Sequence, residues 1–393
     1  MLISNKMKTK VSKRSPIRVA FDNAMKLKEQ GREVFDYSIG NPTSRCPEAV
    51  KQAILSQAVT DPKKHSYMQD QGYPSVRQKI ADSINKQFGG HYTIDDIAMT
   101  VGAAGGLNNI FQSVFDAGDE VILFKPIFGA YKGYISNFDG VMIYADCDSE
   151  MMPDFDSFEK CFSEKTKLVI VNSPGNPSGV VYGSDVAKRI AEIMDAKQKF
   201  YGHTIALLSD EPYRELVYDG VRSVWWPDYY KNTIVCYSYS KAASIAGERI
   251  GYLALNPDMD EHDDLYKAII LSIGDLGFVN APAISQRIAE ACADLPVDAS
   301  YYDHNRQILA EGLKECGFEF PWPKGAFYLL LKAPDGDHDK FAENLMEEGI
   351  IVVGGDAFEC PGYVRLSYCL DTEDIEKSLP HFKNVARKYG LVD

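Results

Sequence analysis

The chain has 393 residues, with 42 Lys and Arg against 56 Asp and Glu, giving a formal net charge of −14. Hydrophobic residues make up 45% of it, too much core material for a disordered chain, and the length suits a large α/β unit with an appendage. The acidic balance repels phosphate backbones, which excludes general nucleic-acid binding away from the basic amino-terminal arm.

That arm, residues 1–14, carries Lys6, Lys8, Lys10, Lys13 and Arg14 but no following apolar run, so it reads as a flexible, solvated terminus and not as a signal peptide. No stretch approaches the ~18 consecutive apolar residues of a membrane span, so no membrane partner is expected. The eight cysteines are scattered with no CxxC pair, which points to reduced thiols of a cytoplasmic protein. The histidines show no HExxH pairing, so no metal site is expected.

In chain order, Ile17 to Gln30 has a helical pattern that stops at Gly31. From about residue 97 to 255, short apolar runs alternate with helix-like stretches, the rhythm of a mostly parallel sheet covered on both faces. Strands are predicted at Ile97–Val101, Glu120–Phe124, Val141–Ala145, Leu168–Asn172, Ile205–Ser209, Thr233–Ser238 and Ile250–Leu255. Helices are predicted at Leu107–Phe115 and Val186–Gln198, the second opening behind the capping types Ser184 and Asp185. Beyond Ala281 a helical stretch runs to about Gly317. Strands at Ala326–Lys332, Ile350–Val353 and Tyr363–Tyr368 follow, with a helix at Phe341–Glu348 between them. The expected fold class is therefore α/β: a large domain, residues 46–285, with a seven-stranded sheet, and a smaller α+β lobe from residues 15–45 and 286–393.

Ligands of open α/β sheets sit beyond the carboxyl ends of the strands, which directs attention to four segments. Val101-Gly102-Ala103-Ala104-Gly105-Gly106 can offer backbone amides to an anion at a helix start, although it has neither the GxxxxGK[ST] nor the GxGxxG spacing. Asn172-Ser173-Pro174-Gly175-Asn176-Pro177-Ser178-Gly179 and Ser209-Asp210-Glu211-Pro212-Tyr213 both follow apolar runs. The fourth segment, Tyr237-Ser238-Tyr239-Ser240-Lys241, precedes Gly247-Glu248-Arg249-Ile250-Gly251. A carboxylate or an ammonium at the end of a buried strand is costly unless it meets a partner. Taken singly, each segment is equally an Asn-Pro turn, a surface carboxylate or a snorkelling lysine.

Together and in this order, NPxG, DExY, SxSK and GxRxG resemble the class I aminotransferases of the pyridoxal phosphate fold-type I superfamily, from about Ser15 to the end. Ser15-Pro16-Ile17-Arg18 and Tyr37-Ser38-Ile39-Gly40-Asn41-Pro42 resemble a prokaryotic subgroup of them. The resemblance implies pyridoxal 5'-phosphate as cofactor, with Lys241 forming its Schiff base and moving the proton. It implies Asp210 on the pyridine nitrogen, Tyr213 and Asn176 on the phenolic oxygen, and Phe128 stacked on the ring. For the phosphate it implies Gly102, Ala103, Ala104, Ser238, Ser240 and Arg249, with Tyr67 reaching across from the neighbouring subunit of a homodimer. Arg365 would hold the substrate carboxylate, assisted by Asn176 and the backbone at Gly40.

The implied activity is transfer of an α-amino group from an amino acid to a 2-oxo acid, such as 2-oxoglutarate, by a ping-pong mechanism. A β-eliminating carbon–sulfur lyase of the same fold is the alternative. A non-catalytic regulator would need a DNA-binding module that the short basic arm does not provide. Dicarboxylate specialists of the superfamily add a second cation at one of two places; here those places carry Asp275 and Ala104. Glu248 and Ser178 replace a frequent tryptophan and a frequent threonine without evident chemical cost.

Overall fold

The computed structural model describes residues 2–11, 16–57 and 65–393. Its strands are β1 (Phe35–Asp36), β2 (Ile97–Thr100), β3 (Glu120–Phe124), β4 (Val141–Ala145), β5 (Thr166–Val171), β6 (Ala206–Asp210), β7 (Thr233–Ser238), β8 (Gly251–Leu255), β9 (Tyr328–Lys332), β10 (Ile350–Ile351), β11 (Val353–Gly354) and β12 (Tyr363–Ser367). Seven of them form one sheet in the order β2-β8-β7-β6-β5-β3-β4, in which β8 runs antiparallel to both neighbours and the remaining pairs are parallel.

Both faces of the central strands are buried, so these strands are mostly apolar and successive residues feed opposite cores. Ile122, Phe124, Val169 and Val171 pack with Val186, Ile190 and Met194 of helix Ser184–Tyr201. Val121, Leu123, Leu168 and Ile170 pack with Leu107, Ile110 and Phe111 of helix Gly102–Val114 on the other side. The seven expected strands are all present, with ends displaced by one or two residues.

Two local expectations fail. Ser184 and Asp185 do not cap their helix from outside: Ser184 is its first residue, and Gly183 stands at the cap without a side-chain bond. The basic arm is not a loose terminus throughout either. Residues Asn5–Val11 form a helix, and Lys6 binds the Asn137 carbonyl at 3.0 Å and the Asp139 carboxylate at 2.9 Å.

The smaller α+β lobe is built on an antiparallel sheet, β11-β12-β9. Helices Ser300–Glu315, His338–Glu347 and Thr372–Lys388 cover it through Leu309, Leu313, Phe341, Leu345 and Phe382. The long helical stretch expected to Gly317 is two helices, Ala283–Cys292 and Ser300–Glu315, and the strand expected at Ile350–Val353 is split into β10 and β11. The helix expected at Ile17–Gln30 spans Pro16–Glu29, and Gly31 ends it at φ +75°.

The amino-terminal segment then enters this lobe as a strand. β1 pairs in parallel with β10, Tyr37 N–H donates to the Ile351 carbonyl at 2.9 Å, and Ser367 N–H donates to the Tyr37 carbonyl at 2.9 Å. This threading carries Ser38 to Arg365 and Gly40 to Lys241.

Gly349 is required by that junction: its φ is +82°, and a Cβ there would sit 2.6 Å from the Glu33 carbonyl oxygen. Gly349→Ala should therefore cost about 1–3 kcal/mol of stability, measured as a lower denaturation midpoint at unchanged m-value.

Candidate active site

A cavity of about 330 Å³ lies beyond the carboxyl ends of β5, β6 and β7, between the large sheet and the small lobe. Its walls include Lys241, Asp210, Tyr213, Asn176, Arg365 and Arg249. Gly40, Ala103, Ala104, Phe128, Ser238 and Ser240 line it as well, so twelve of the fourteen sequence-nominated residues share one space.

The remaining two differ in kind. Gly102 sits directly behind the wall, where a Cβ would lie 2.6 Å from an Arg249 guanidinium nitrogen. Tyr67 is not in its own chain's cavity, and its side chain is 90% exposed.

Asp210 is the last residue of β6 and is fully buried. The Tyr131 hydroxyl donates to its Oδ2 at 2.6 Å, while Oδ1 has no hydrogen-bond partner. Burial pushes this carboxyl up to about 7; the Tyr131 bond opposes the shift and nearby Glu211 reinforces it. Tyr131 also meets Phe128 edge-on, with ring centroids 5.3 Å apart.

Lys241 lies in the short helix Tyr239–Ala242 that continues β7, with Ser238 capping it through a bond from Ser240 N–H. Its Nζ donates to the Gly40 carbonyl at 2.6 Å and stands 5.1 Å over the Phe327 ring. Burial lowers the amine from 10.5 to about 8, and the Arg365 and Arg249 charges push the same way. An amine shifted in this direction is a nucleophile at moderate pH.

The stretch after β2 forms the first turn of helix Gly102–Val114, five residues before the helix start expected at Leu107. Gly102, at φ +66°, starts that helix, so the free amides of a helix start face the cavity beside the Arg249 guanidinium. Arg249 itself adopts φ +52° and is steadied by a 2.8 Å bond from Nη1 to the Ala246 carbonyl. Ser238 Oγ donates to Ser240 Oγ at 2.8 Å along the same wall. Helix amides, two hydroxyls and a guanidinium form a donor set suited to a dianion.

Arg365 reaches in from the middle of β12, where it pairs with Val353 and Leu330. Nη1 donates to Asn176 Oδ1 at 3.1 Å and Nη2 to the Ser38 carbonyl at 2.6 Å, leaving Nε without a partner. The guanidinium is sandwiched by Tyr328 at 4.6 Å and Phe358 at 4.7 Å. Asn176 is itself held, its N–H donating to Asn172 Oδ1 at 2.8 Å, and Asn172 Nδ2 donates to the Asp210 carbonyl at 2.9 Å. The Tyr213 hydroxyl is 3.1 Å from that of Tyr328. A Cβ at Gly40 would run into the Tyr328 hydroxyl, so glycine lets the segment after β1 pass close to that ring.

Sequence reasoning missed Tyr131, Asn172 and Tyr328. Asn172 carried a usable signal, being the first residue of the segment that ends in Asn176-Pro177; Tyr131 and Tyr328 had none short of the tertiary structure. Asp275 ends helix His262–Asp275 and does not line the cavity.

An open α/β sheet carries a buried lysine, an orphaned carboxylate and an anion cradle at its strand ends, and residues 32–382 match the family model of class I and II aminotransferases. The chain belongs to that family and is an aminotransferase. It is 31% identical to the aspartate/prephenate aminotransferase of Thermus thermophilus over 92% of this chain and 93% of that protein. It is 28% identical to the (5-formylfuran-3-yl)methyl phosphate transaminase of Methanocaldococcus jannaschii, covering 93% of this chain and 95% of that one. A crystal structure of an amino transferase from Eubacterium rectale superposes with a TM-score of 0.96 at 37% identity, covering 99% of this chain and all of that one.

The depressed amine gives a direct check on the apoprotein. Acylation of Lys241, followed by peptide mass spectrometry across pH, should rise through about pH 8 and then level off. Exposed lysines should keep gaining reactivity up to about 10.4.

Proposed function

We propose that the cavity binds pyridoxal 5'-phosphate and that the protein uses it to move an α-amino group between an amino acid and a 2-oxo acid by a ping-pong mechanism. The observation that carries this reading is the pairing, in one cavity, of a fully buried carboxylate with an unsatisfied oxygen and a buried lysine shifted toward its neutral form. An orphaned Asp210 Oδ1 is costly in the protein alone, and a protonated ring nitrogen would satisfy it. When bound, this cofactor supplies an aldehyde for an amine and an electron-withdrawing ring for the carbon that loses its proton.

The chain's own residues then have separate tasks. Lys241 Nζ provides the amine for the aldehyde and afterwards holds and returns the proton of the substrate α-carbon. Asp210 keeps the ring nitrogen protonated. Tyr213 and Asn176 donate to the phenolic oxygen, and Phe128 covers one ring face. The amides of Gly102, Ala103 and Ala104, with Ser238, Ser240 and Arg249, bind the phosphate. Arg365, with its aromatic sandwich and its bond to Asn176, is oriented to take the substrate carboxylate as a fork, with the Gly40 backbone alongside.

Tyr67 fits a role in the site of a second copy, since it is exposed and does not line its own cavity. Helices Glu48–Gln57 and Ala283–Cys292 pack together and leave Ile54, Leu55 and Ile284 exposed, which supports a homodimer covering that face. Among the described residues no helix is long and apolar enough to cross a membrane. We read the chain as cytoplasmic, with residues 15–45 and 286–393 forming the small domain and 46–285 the large one.

Borohydride treatment of the loaded wild type should fix the cofactor covalently on Lys241, seen by peptide mass spectrometry. Lys241→Ala should lose both the label and at least about 100-fold in turnover. Labelling elsewhere would remove the central assignment. Release of pyruvate and ammonia from cystathionine, without need of a 2-oxo acid, would replace amino transfer by β-elimination.

Arg365→Lys keeps the charge but loses the planar fork. It should raise KM for the amino donor roughly tenfold, with a smaller effect on kcat, when initial rates are measured against donor concentration.

A further inference from the structure

The mechanism above uses Asp210 but leaves unexplained what aims it. Asp210 ends β6 with its carboxylate fully buried, and one oxygen has a single partner, the Tyr131 hydroxyl at 2.6 Å. The other oxygen has none. Tyr131 is equally buried, begins the helix Tyr131–Asn137, and packs its ring edge-on at 87° to Phe128. A carboxylate with two free oxygens could turn about its last torsion. One fixed at Oδ2 by a donor rooted in a helix cannot turn without breaking a buried charge-assisted bond.

We propose that Tyr131 is a positioning residue that holds Asp210 Oδ2 so that Oδ1 is presented, ionised, to the ring nitrogen of the bound cofactor. This rests on the cofactor reading of the preceding section. The other titratable groups that act on this corner do not substitute for Tyr131. Glu211 and the Cys236 thiol carry or would carry negative charge, and Tyr134, Lys241 and Arg249 line the same cavity without bonding Asp210. Tyr131 is therefore the hydrogen bond that favours the charged carboxylate against burial and against Glu211. Through its contact with Phe128, the same side chain also sets the ring that would cover the bound cofactor.

The test separates this role from simple packing. Apoprotein affinities are measured for pyridoxal 5'-phosphate and for the analogue in which the ring nitrogen is replaced by carbon, in wild type and in Tyr131→Phe. Loss of the hydroxyl should weaken pyridoxal 5'-phosphate roughly tenfold and leave the analogue within about twofold. Equal weakening of both compounds would reduce Tyr131 to a packing residue, and no change in either would also overturn the proposal. A wild type that binds both compounds equally would remove the Asp210 assignment on which the proposal stands.

A second measurement does not depend on the folding of Tyr131→Phe. Fluorotyrosine at position 131 keeps the ring and strengthens the donor, so the Asp210 carboxyl of the apoprotein, followed by isotope-edited infrared spectroscopy, should titrate at lower pH. An unmoved titration would overturn the proposal.

Discussion

Placing Asp210 and Lys241 inside one cavity, each against its own solvation, is the constraint on which the rest of the structure depends. An ionisable group taken out of water either finds a partner or shifts toward its neutral form, and here both have shifted, the acid upward and the amine downward. Neither shift favours folding at neutral pH, so the scaffold must hold these groups in place by other means. It does so with a sheet whose strands are buried on both faces and whose two cores take alternate residues of β3 and β5. Asp210 and Lys241 follow adjacent strands of that sheet, β6 and β7, and so inherit its rigidity.

The hydrogen bonds leading away from Asp210 explain why distant parts of the chain are needed. Its backbone carbonyl accepts from Asn172, Asn172 accepts from the Asn176 backbone, Asn176 accepts from Arg365, and Arg365 donates to the Ser38 carbonyl. That chain joins the segment following β5, the end of β6, strand β12 of the small lobe and the segment threaded in from the amino terminus. Arg365 is thus oriented by the same network that anchors Asp210. The Arg365 guanidinium and the backbone of Asp210 are thereby parts of one hydrogen-bonded assembly.

Much of this was legible because burying charge is expensive and strand ends are where charges reach a ligand. Asp210, Lys241 and Arg365 stand out against apolar neighbours in the bare sequence, and the alternating runs between residues 97 and 255 locate the sheet. What was not legible depends on tertiary contact. Tyr131 follows Phe128 by three residues, and nothing in that spacing says that its hydroxyl points at a strand 79 residues away. The glycine-rich stretch after β2 reads equally as a loop or as a helix start, and the positive φ of Gly102 resolves it. Gly183 in place of Ser184 at a helix cap is the same kind of miss: local propensity names residues able to cap, while packing of Val186, Ile190 and Met194 sets the register.

The net charge of −14 is a property of the surface, since the described walls of the cavity hold three cations and one buried carboxylate. Each cation has a defined place: Lys241 against Gly40, Arg249 at the helix start, Arg365 between Asn176 and Ser38. The lining also includes the apolar or aromatic side chains of Ile17, Ile39, Leu107, Tyr134 and Tyr328, together with Ser38 and Asn172. Ala104, where a lysine would serve a second carboxylate, offers only a methyl group, and Asp275 lies outside these walls. Beyond Lys241, Arg249 and Arg365 these described walls hold no further cation for a second carboxylate.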